Sequence, residues 1–122
     1  MKTPKPVMER RRSVRIAEKL PFKIGREGYE TEAVTVNISA HGVLCLVEKE
    51  FPVMTQFKLA LTLPAAGRGE RSKTLSMKGV VVRKDKGGKV SQFLLAIYFS
   101  DIKPLDRLFL QKYIESRVSA AE

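Results

Sequence analysis

The arginines near the amino terminus are the residues of this chain best suited to binding an anion. The segment ERRRSVR, residues 9–15, places Arg10, Arg11, Arg12 and Arg15 within six residues. A guanidinium group is planar and always charged, and it can donate paired hydrogen bonds to the oxygens of a phosphate or a carboxylate. The segment is therefore either a solvated basic arm or part of a site for an anion with a flat, hydrogen-bonding face.

A second polar stretch, NISAHG at residues 37–42, interrupts an apolar run. Asn37 can donate and accept hydrogen bonds, and Ser39 carries a hydroxyl that can bond either a ligand or its own turn. Asparagine is also a common turn residue, and His41 is expected to be a turn residue without a direct role. We expect Gly42 to adopt a positive φ angle that closes a hairpin and lets the backbone approach a ligand.

The sequence lacks the residue sets that catalysis and metal binding require. His41 is the only histidine and Cys45 the only cysteine, so neither a Ser-His-Asp triad nor a Cys/His zinc set can be assembled. No Gly-x-x-x-x-Gly-Lys-[Ser/Thr] phosphate loop occurs, and GRGE at 67–70 has the composition of a flexible loop. We expect a protein that is not an enzyme and that holds no metal and no cofactor.

The charge balance favours a polyanionic partner. The formal net charge is +10, and the first 19 residues contribute seven lysines and arginines against Glu9 and Glu18, which makes +5. A nucleotide, a nucleic acid and an acidic protein all satisfy this balance. No apolar run is long enough to span a membrane, and the charged start is not followed by the apolar stretch of a secretory signal. With a single cysteine, this predicts a cytoplasmic location.

The elements that would position these residues are mostly strands. In 29–39 we expect Val34, Val36 and Ile38 to share one face of a half-buried strand. Gly79 inside a strand suggests a bend or bulge. Alternating apolar and polar residues predict strands over 14–24, 29–39, 43–48, 55–63, 73–84 and 90–99.

The last segment, 104–118, has helical spacing, in which Leu105, Leu108 and Phe109 lead to Tyr113 along one apolar stripe. Three further apolar residues widen that stripe: Leu110, Ile114 and Val118. No helix separates the strands, so the sheet is expected to be antiparallel. We predict a mainly β fold, a small six-stranded antiparallel β-barrel with a C-terminal α-helix. The predicted divisions are a flexible basic tail over 1–9, one domain over 10–118 and a short tail over 119–122.

The two polar motifs together resemble those of the PilZ family, bacterial receptor domains for cyclic di-GMP. Arg11 and Arg15 match the Arg-x-x-x-Arg motif that precedes the first strand of that family. Asn37, Ser39 and Gly42 match its [Asp/Asn]-x-Ser-x-x-Gly motif at the end of the second strand. The order and separation of the motifs also agree, so the chain resembles a PilZ domain over roughly residues 9–117.

The resemblance implies a non-enzymatic receptor that binds cyclic di-GMP as its ligand. It assigns Arg11 and Arg15 to the phosphates and guanines, with Arg10 and Arg12 as further candidates. Position 37 would face a guanine edge, where an asparagine offers one acceptor oxygen and an aspartate two. Ser39 and Gly42 would complete the site. By the resemblance Arg83 could lie on the ligand side, but it is expected to be an exposed hairpin residue.

The resemblance also implies how a signal would be relayed. The arm before the barrel would order over one or two bound nucleotides, and a downstream protein, not identified by the sequence, would respond to the new surface. A monomer or a weak homodimer is expected. Two other functions stay open: a basic barrel that binds nucleic acid, and a PilZ-like protein-interaction module that binds no nucleotide.

Overall fold

A computed structural model describes residues 14–64 and 71–121, with side chains described as far as residue 118. Six strands precede one helix in the chain. Their bounds are β1 Pro21–Arg26, β2 Tyr29–Ile38, β3 Gly42–Val47, β4 Gln56–Leu63, β5 Lys73–Lys86, β6 Phe93–Ile102 and α1 Pro104–Ala121.

The strands close into a barrel in the order β1-β2-β3-β6-β5-β4, and each neighbouring pair is antiparallel. Closure is made by β1 and β4, where Phe22 lies opposite Leu61 and Ile24 opposite Leu59. A closed barrel leaves no unpaired sheet edge. The predicted six-stranded antiparallel barrel with a C-terminal helix is confirmed.

Alternating side chains fill the barrel interior, as β4 shows most simply. Phe57, Leu59, Leu61 and Leu63 are all buried, whereas Lys58 is exposed. This is the period of two that the sequence predicts for a strand with one face in the core. Each such aliphatic or aromatic side chain contributes about 1.5–3 kcal/mol by leaving water.

The buried face of β2 differs from the prediction. Val34 and Val36 are exposed, whereas Thr35 is buried at 1% exposure. Thr35 and Asn37 pair with consecutive residues of β3, so Val36 is the extra residue of a β-bulge. The bulge shifts the alternation by one residue, so that Ile38 again faces the core.

The buried Thr35 fastens the segment that precedes β1. Its Oγ1 accepts a hydrogen bond from the Leu20 amide at 2.8 Å and donates one to the Glu18 carbonyl at 2.6 Å. Two further backbone bonds join Ile16 to Ile38, at 3.0 and 2.9 Å. The predicted strand over 14–24 is therefore divided. Its first half makes only a short bridge to β2 at Ile38, and only its second half enters the barrel as part of β1.

Helix α1 packs on the barrel through one face only. Leu110, Tyr113 and Ile114 are buried, whereas Leu108 and Phe109 are exposed, as is Leu105 one turn earlier. The single apolar stripe expected from the sequence therefore divides into a buried face and a solvent face. The helix also runs three residues beyond the predicted 104–118 segment.

Glu18 ties the segment before β1 to the end of α1. Tyr113 Oη donates to Glu18 Oε1 at 2.7 Å, and Arg117 Nε lies 3.0 Å from Glu18 Oε2. Arg117 Nε also donates to Tyr113 Oη at 3.1 Å. Burial and the hydrogen bond to Glu18 raise the pKa of Tyr113, so its hydroxyl keeps the proton that it donates. Glu18 follows Arg15 by three residues, so this cluster also fixes the direction of the chain near Arg15.

Candidate ligand-binding site

An open groove of about 340 Å³ lies beside the last residues of β2 and the first residues of β3, where they meet the inner parts of β5 and β6. Arg15, Asn37, Ser39 and Gly42 all line it, so four residues that were predicted separately as ligand-binding lie together. Arg10, Arg11 and Arg12, also predicted, lie outside the described residues. The described part of the site therefore holds the carboxyl-terminal arginine of the first motif and the whole of the asparagine motif.

Arg15 and Asn37 are joined directly. Arg15 Nη1 donates to Asn37 Oδ1 at 2.8 Å, and Arg15 is exposed whereas Asn37 is half-buried. The contact follows from the bridge between Ile16 and Ile38, which aligns the residues beside them. Because the bond engages the only acceptor oxygen of the Asn37 side chain, its NH2 group is the part that can still donate to a ligand.

The turn after β2 is organised by the Ser39 hydroxyl. The amides of His41 and Gly42 each donate to Ser39 Oγ at 3.2 Å, and the Ser39 amide donates to the Gly42 carbonyl at 2.9 Å. Ser39 is buried at 1% exposure. Of the two roles that the sequence left open for this serine, the local turn bond is present in the structure.

Gly42 is required by a close strand approach, and the expected positive φ angle was wrong. Among the described glycines, a positive φ occurs at Gly28, with 83°. A Cβ atom on Gly42 would lie 2.6 Å from the carbonyl oxygen of Ile97, which is closer than real side chains come. Gly42 therefore lets β3 pair with β6 at the floor of the groove.

Among the groove residues that were not predicted as site residues are Arg83 and Tyr98. Arg83 was expected to be an exposed hairpin residue, and it is exposed, but it also lines the groove and its Nε donates to Asp85 Oδ2 at 3.1 Å. Tyr98 is 49% exposed and lies opposite Gly42 on β6. The sequence indicates that Tyr98 faces outward, because it lies between two apolar strand residues, Ile97 and Phe99. Both of these are buried.

The groove is positively charged and partly apolar. Its described lining holds two arginines, Arg15 and Arg83, and no carboxylate. Exposed Val82 and Tyr98 and the half-buried Leu44 add apolar surface. Such a groove can bind a group that carries both negative charge and a flat, apolar face.

The described residues offer little for covalent or metal chemistry. Cys45 is fully buried on β3, as expected for a small apolar residue, and burial raises the pKa of its thiol to about 12. A thiol in that state is a poor nucleophile and metal ligand at neutral pH. Within 14–64 and 71–121 no three His, Cys, Asp or Glu side chains cluster so as to hold a metal ion. In the same ranges no helix has the length and apolar character needed to cross a membrane.

Comparison with known proteins gives one family and one fold. The family model of the PilZ domain matches residues 9–116. No curated protein matches the sequence. The fold is similar to that of the inhibitor of motility MotI/DgrA of Bacillus subtilis, with a TM-score of 0.77 and 24% identity over 88% of this chain.

Two other similar structures contain a nucleotide. Escherichia coli YcgR in complex with c-di-GMP gives a TM-score of 0.68 at 17% identity over 92% of this chain. Borreliella burgdorferi PlzA in complex with c-di-GMP gives 0.61 at 12% identity over 97% of this chain. The present chain spans 51% of the Bacillus chain, 47% of the Escherichia chain and 57% of the Borreliella chain, so about half of each.

Proposed function

The chain belongs to the PilZ domain family, and we propose that it is a non-enzymatic receptor that binds cyclic di-GMP in the groove between β2, β3, β5 and β6. One observation carries the proposal: the Arg15–Asn37 hydrogen bond joins the two family motifs at the edge of a cationic groove. The nucleotides bound to two PilZ neighbours, YcgR and PlzA, give the ligand its chemical class.

Arginines supply the charge that a dianion needs. Cyclic di-GMP carries two phosphates and two guanines, and a guanidinium can fork onto either. Arg15 and Arg83 border the groove, and Arg11 lies four residues before Arg15 in the sequence. In this proposal Arg11 and Arg15 hold the ligand from one side and Arg83 from the other, and Arg10 and Arg12 add further contacts.

The Asn37 amide limits which guanine edge can face it. While Oδ1 accepts from Arg15, the NH2 group needs an acceptor, and guanine offers O6 and N7. A guanine read through N1–H and N2–H would instead donate to Oδ1, whose second lone pair can accept while Arg15 keeps its own bond. If Arg15 turns toward a phosphate, ligand binding exchanges the Arg15–Asn37 bond for two contacts with the nucleotide.

The apolar part of the groove suits the purine faces. Tyr98 and Val82 are exposed, and stacking of a base on an aromatic ring contributes about 1–3 kcal/mol. Ser39 and Gly42 act mainly through the backbone, because the serine shapes the turn and the glycine opens the groove floor.

The response is the ordering of the chain before Arg15 over the nucleotide, which a cytoplasmic protein partner then recognises. Ordering that segment costs part of the binding energy. A micromolar affinity corresponds to about 8 kcal/mol, which a few charge-assisted hydrogen bonds and one stacked base can supply.

The proposal is tested by calorimetric titration of the full chain with cyclic di-GMP, with GTP and cyclic GMP as competing candidates. We expect micromolar affinity for the cyclic dinucleotide alone. Arg11→Ala and Arg15→Ala should each weaken binding by about tenfold or more, which is about 1.4 kcal/mol. Arg71→Ala, a matched loss of charge just before β5 and outside the groove, should change it less than about twofold. Unchanged affinity in both the Arg11 and the Arg15 variant would contradict the proposal.

A further inference from the structure

Helix α1 carries an apolar stripe on its solvent side that the fold does not use. Leu105, Leu108 and Phe109 are 78%, 47% and 43% exposed, at the spacing i, i+3, i+4 that aligns side chains along one helix face. The opposite face, with Leu110 and Ile114, is already packed on the barrel. Contiguous exposed apolar side chains of this kind mark surfaces that bind another molecule.

Two lysines lie at the stripe, one beside it and one at its end. Lys73 Nζ, from the start of β5, lies 5.4 Å from the centre of the Phe109 ring. Lys112 continues the stripe one turn after Leu108 and is exposed. Of the acids of the helix, Asp106 is half-buried, and Glu115 is exposed on the same face about one turn beyond Lys112.

The length of the stripe fits a crossing helix. From Leu105 to Lys112 it extends about 10 Å at 1.5 Å per residue, roughly two turns. A helix packed across this stripe, at an interaxial distance of about 8–10 Å, can cover a length of this size. A second copy of this chain would bring the same lysines toward each other, which like charges oppose.

We infer that the solvent face of α1, formed by Leu105, Leu108, Phe109, Lys73 and Lys112, docks an amphipathic helix of a protein partner whose apolar residues are flanked by acids. The apolar residues of that helix cover the stripe, and its carboxylates meet the two lysines. This surface lies on a different element from the nucleotide groove, so the inference goes beyond the proposed receptor function and does not depend on it.

The inference is tested with a synthetic 20-residue helical peptide that has leucines at i, i+3, i+4 and i+7 and glutamates beside them. Binding to the full chain without nucleotide is followed by fluorescence anisotropy and by amide shifts in NMR. We expect saturable binding with shifts on α1. Leu105→Ala, Phe109→Ala and Lys73→Glu should each weaken it by about tenfold. Val90→Ala removes a residue that is 96% exposed in the loop between β5 and β6, and it should leave binding unchanged.

Four results would overturn the inference. The first is no saturable binding of the glutamate peptide. The second is equal affinity for a twin peptide with lysines in place of the glutamates. The third is binding of the chain to vesicles of anionic lipid that Phe109→Ala abolishes, because the stripe would then be a membrane-contacting face. The fourth is a dimer in sedimentation that the same variant dissociates, because the stripe would then bind a second copy.

Discussion

Arg15 Nη1 donates to Asn37 Oδ1 at 2.8 Å across 22 residues of sequence, and this contact links the arginine motif to the asparagine motif. The hydrogen bond holds the Arg15 side chain at the groove, beside Asn37. The short backbone bridge between Ile16 and Ile38 holds the two segments together at this point. If the proposed nucleotide binds here, an arginine held in this way has less freedom to lose on binding.

Replacing Arg15 with lysine should weaken cyclic di-GMP binding although the charge is kept. A lysine cannot make the paired contact, and it loses the planar group that Asn37 now orients. We expect the dissociation constant measured by calorimetry to rise by about tenfold. Arg71→Lys is the matched control and should have no effect. Equal loss in both variants would mean that the fork is not used.

Gly42→Ala should destabilise the barrel, because the added Cβ would lie 2.6 Å from the Ile97 carbonyl oxygen. We expect the free energy of unfolding in urea to fall by about 1–3 kcal/mol, the usual cost of overpacking. Gly88→Ala is the control, since a Cβ there meets nothing within 4 Å. It should change stability by less than about 0.5 kcal/mol. A neutral Gly42→Ala would show that β3 and β6 can separate at this point.

Thr35→Val should loosen the segment that positions Arg15. The substitution keeps the shape but removes the hydroxyl that bonds the Leu20 amide and the Glu18 carbonyl, so both buried groups lose their partner. We expect a loss of about 1–3 kcal/mol in unfolding free energy, together with weaker nucleotide binding.

Thr62→Val is the matched control for this substitution. The Thr62 hydroxyl bonds that of Thr74 in an exposed cross-strand pair, where water can replace the contact. Its effect on unfolding should stay within about 0.5 kcal/mol. If Thr35→Val lowers stability but leaves nucleotide affinity unchanged, the segment before β1 does not position Arg15.

Cys45 should make the fold sensitive to alkaline pH. Burial raises the pKa of its thiol from 9.0 to about 12, so the folded chain keeps a proton that the unfolded chain releases. The contribution is complete below pH 9 and is lost as the pH rises toward 12. Between pH 9 and 10.5 the unfolding free energy should fall by about 1.5 kcal/mol through this group.

The comparison that isolates the thiol is Cys45→Ala against the unchanged chain, by urea unfolding at both pH values. The difference in stability between the two proteins should shrink as the pH rises, while the alkaline effects of tyrosines and lysines cancel. A difference that is constant across this range would mean that the thiol ionises equally in both states.

The sequence predicts the elements whose residues alternate without interruption. β4 is such a case, because Phe57, Leu59, Leu61 and Leu63 face the core of the closed barrel in simple alternation. This prediction holds because local periodicity and burial coincide. At Gly79 the sequence predicts a bend or bulge within β5, and a register shift lies there, but Lys78 and Gly79 pair with Asp101 and Phe99, so the extra residue is Ser100 of β6.

The features that the sequence did not predict depend on which strands become neighbours. The bulge at Val36 is fixed by the pairing with β3. Because of it, Thr35 is buried, whereas the valines on either side of it are exposed. Position 42 requires a glycine because a Cβ atom there would meet the carbonyl oxygen of Ile97, which lies 55 residues later in the chain. Arg83 joins the groove only because β5 and β3 both flank β6. No local pattern contains this information.

The central claim, that cyclic di-GMP occupies the groove lined by both motifs, is tested most directly by titrating isotope-labelled full-length chain and following its amide resonances by NMR. The account predicts saturable shifts centred on Asn37, Gly42 and Tyr98, and their loss in Arg15→Ala. A second surface cavity, lined by Lys23, Glu32 and Thr62 among others, serves as the internal comparison. Saturable shifts confined to that cavity, with the groove resonances unchanged, would contradict the account.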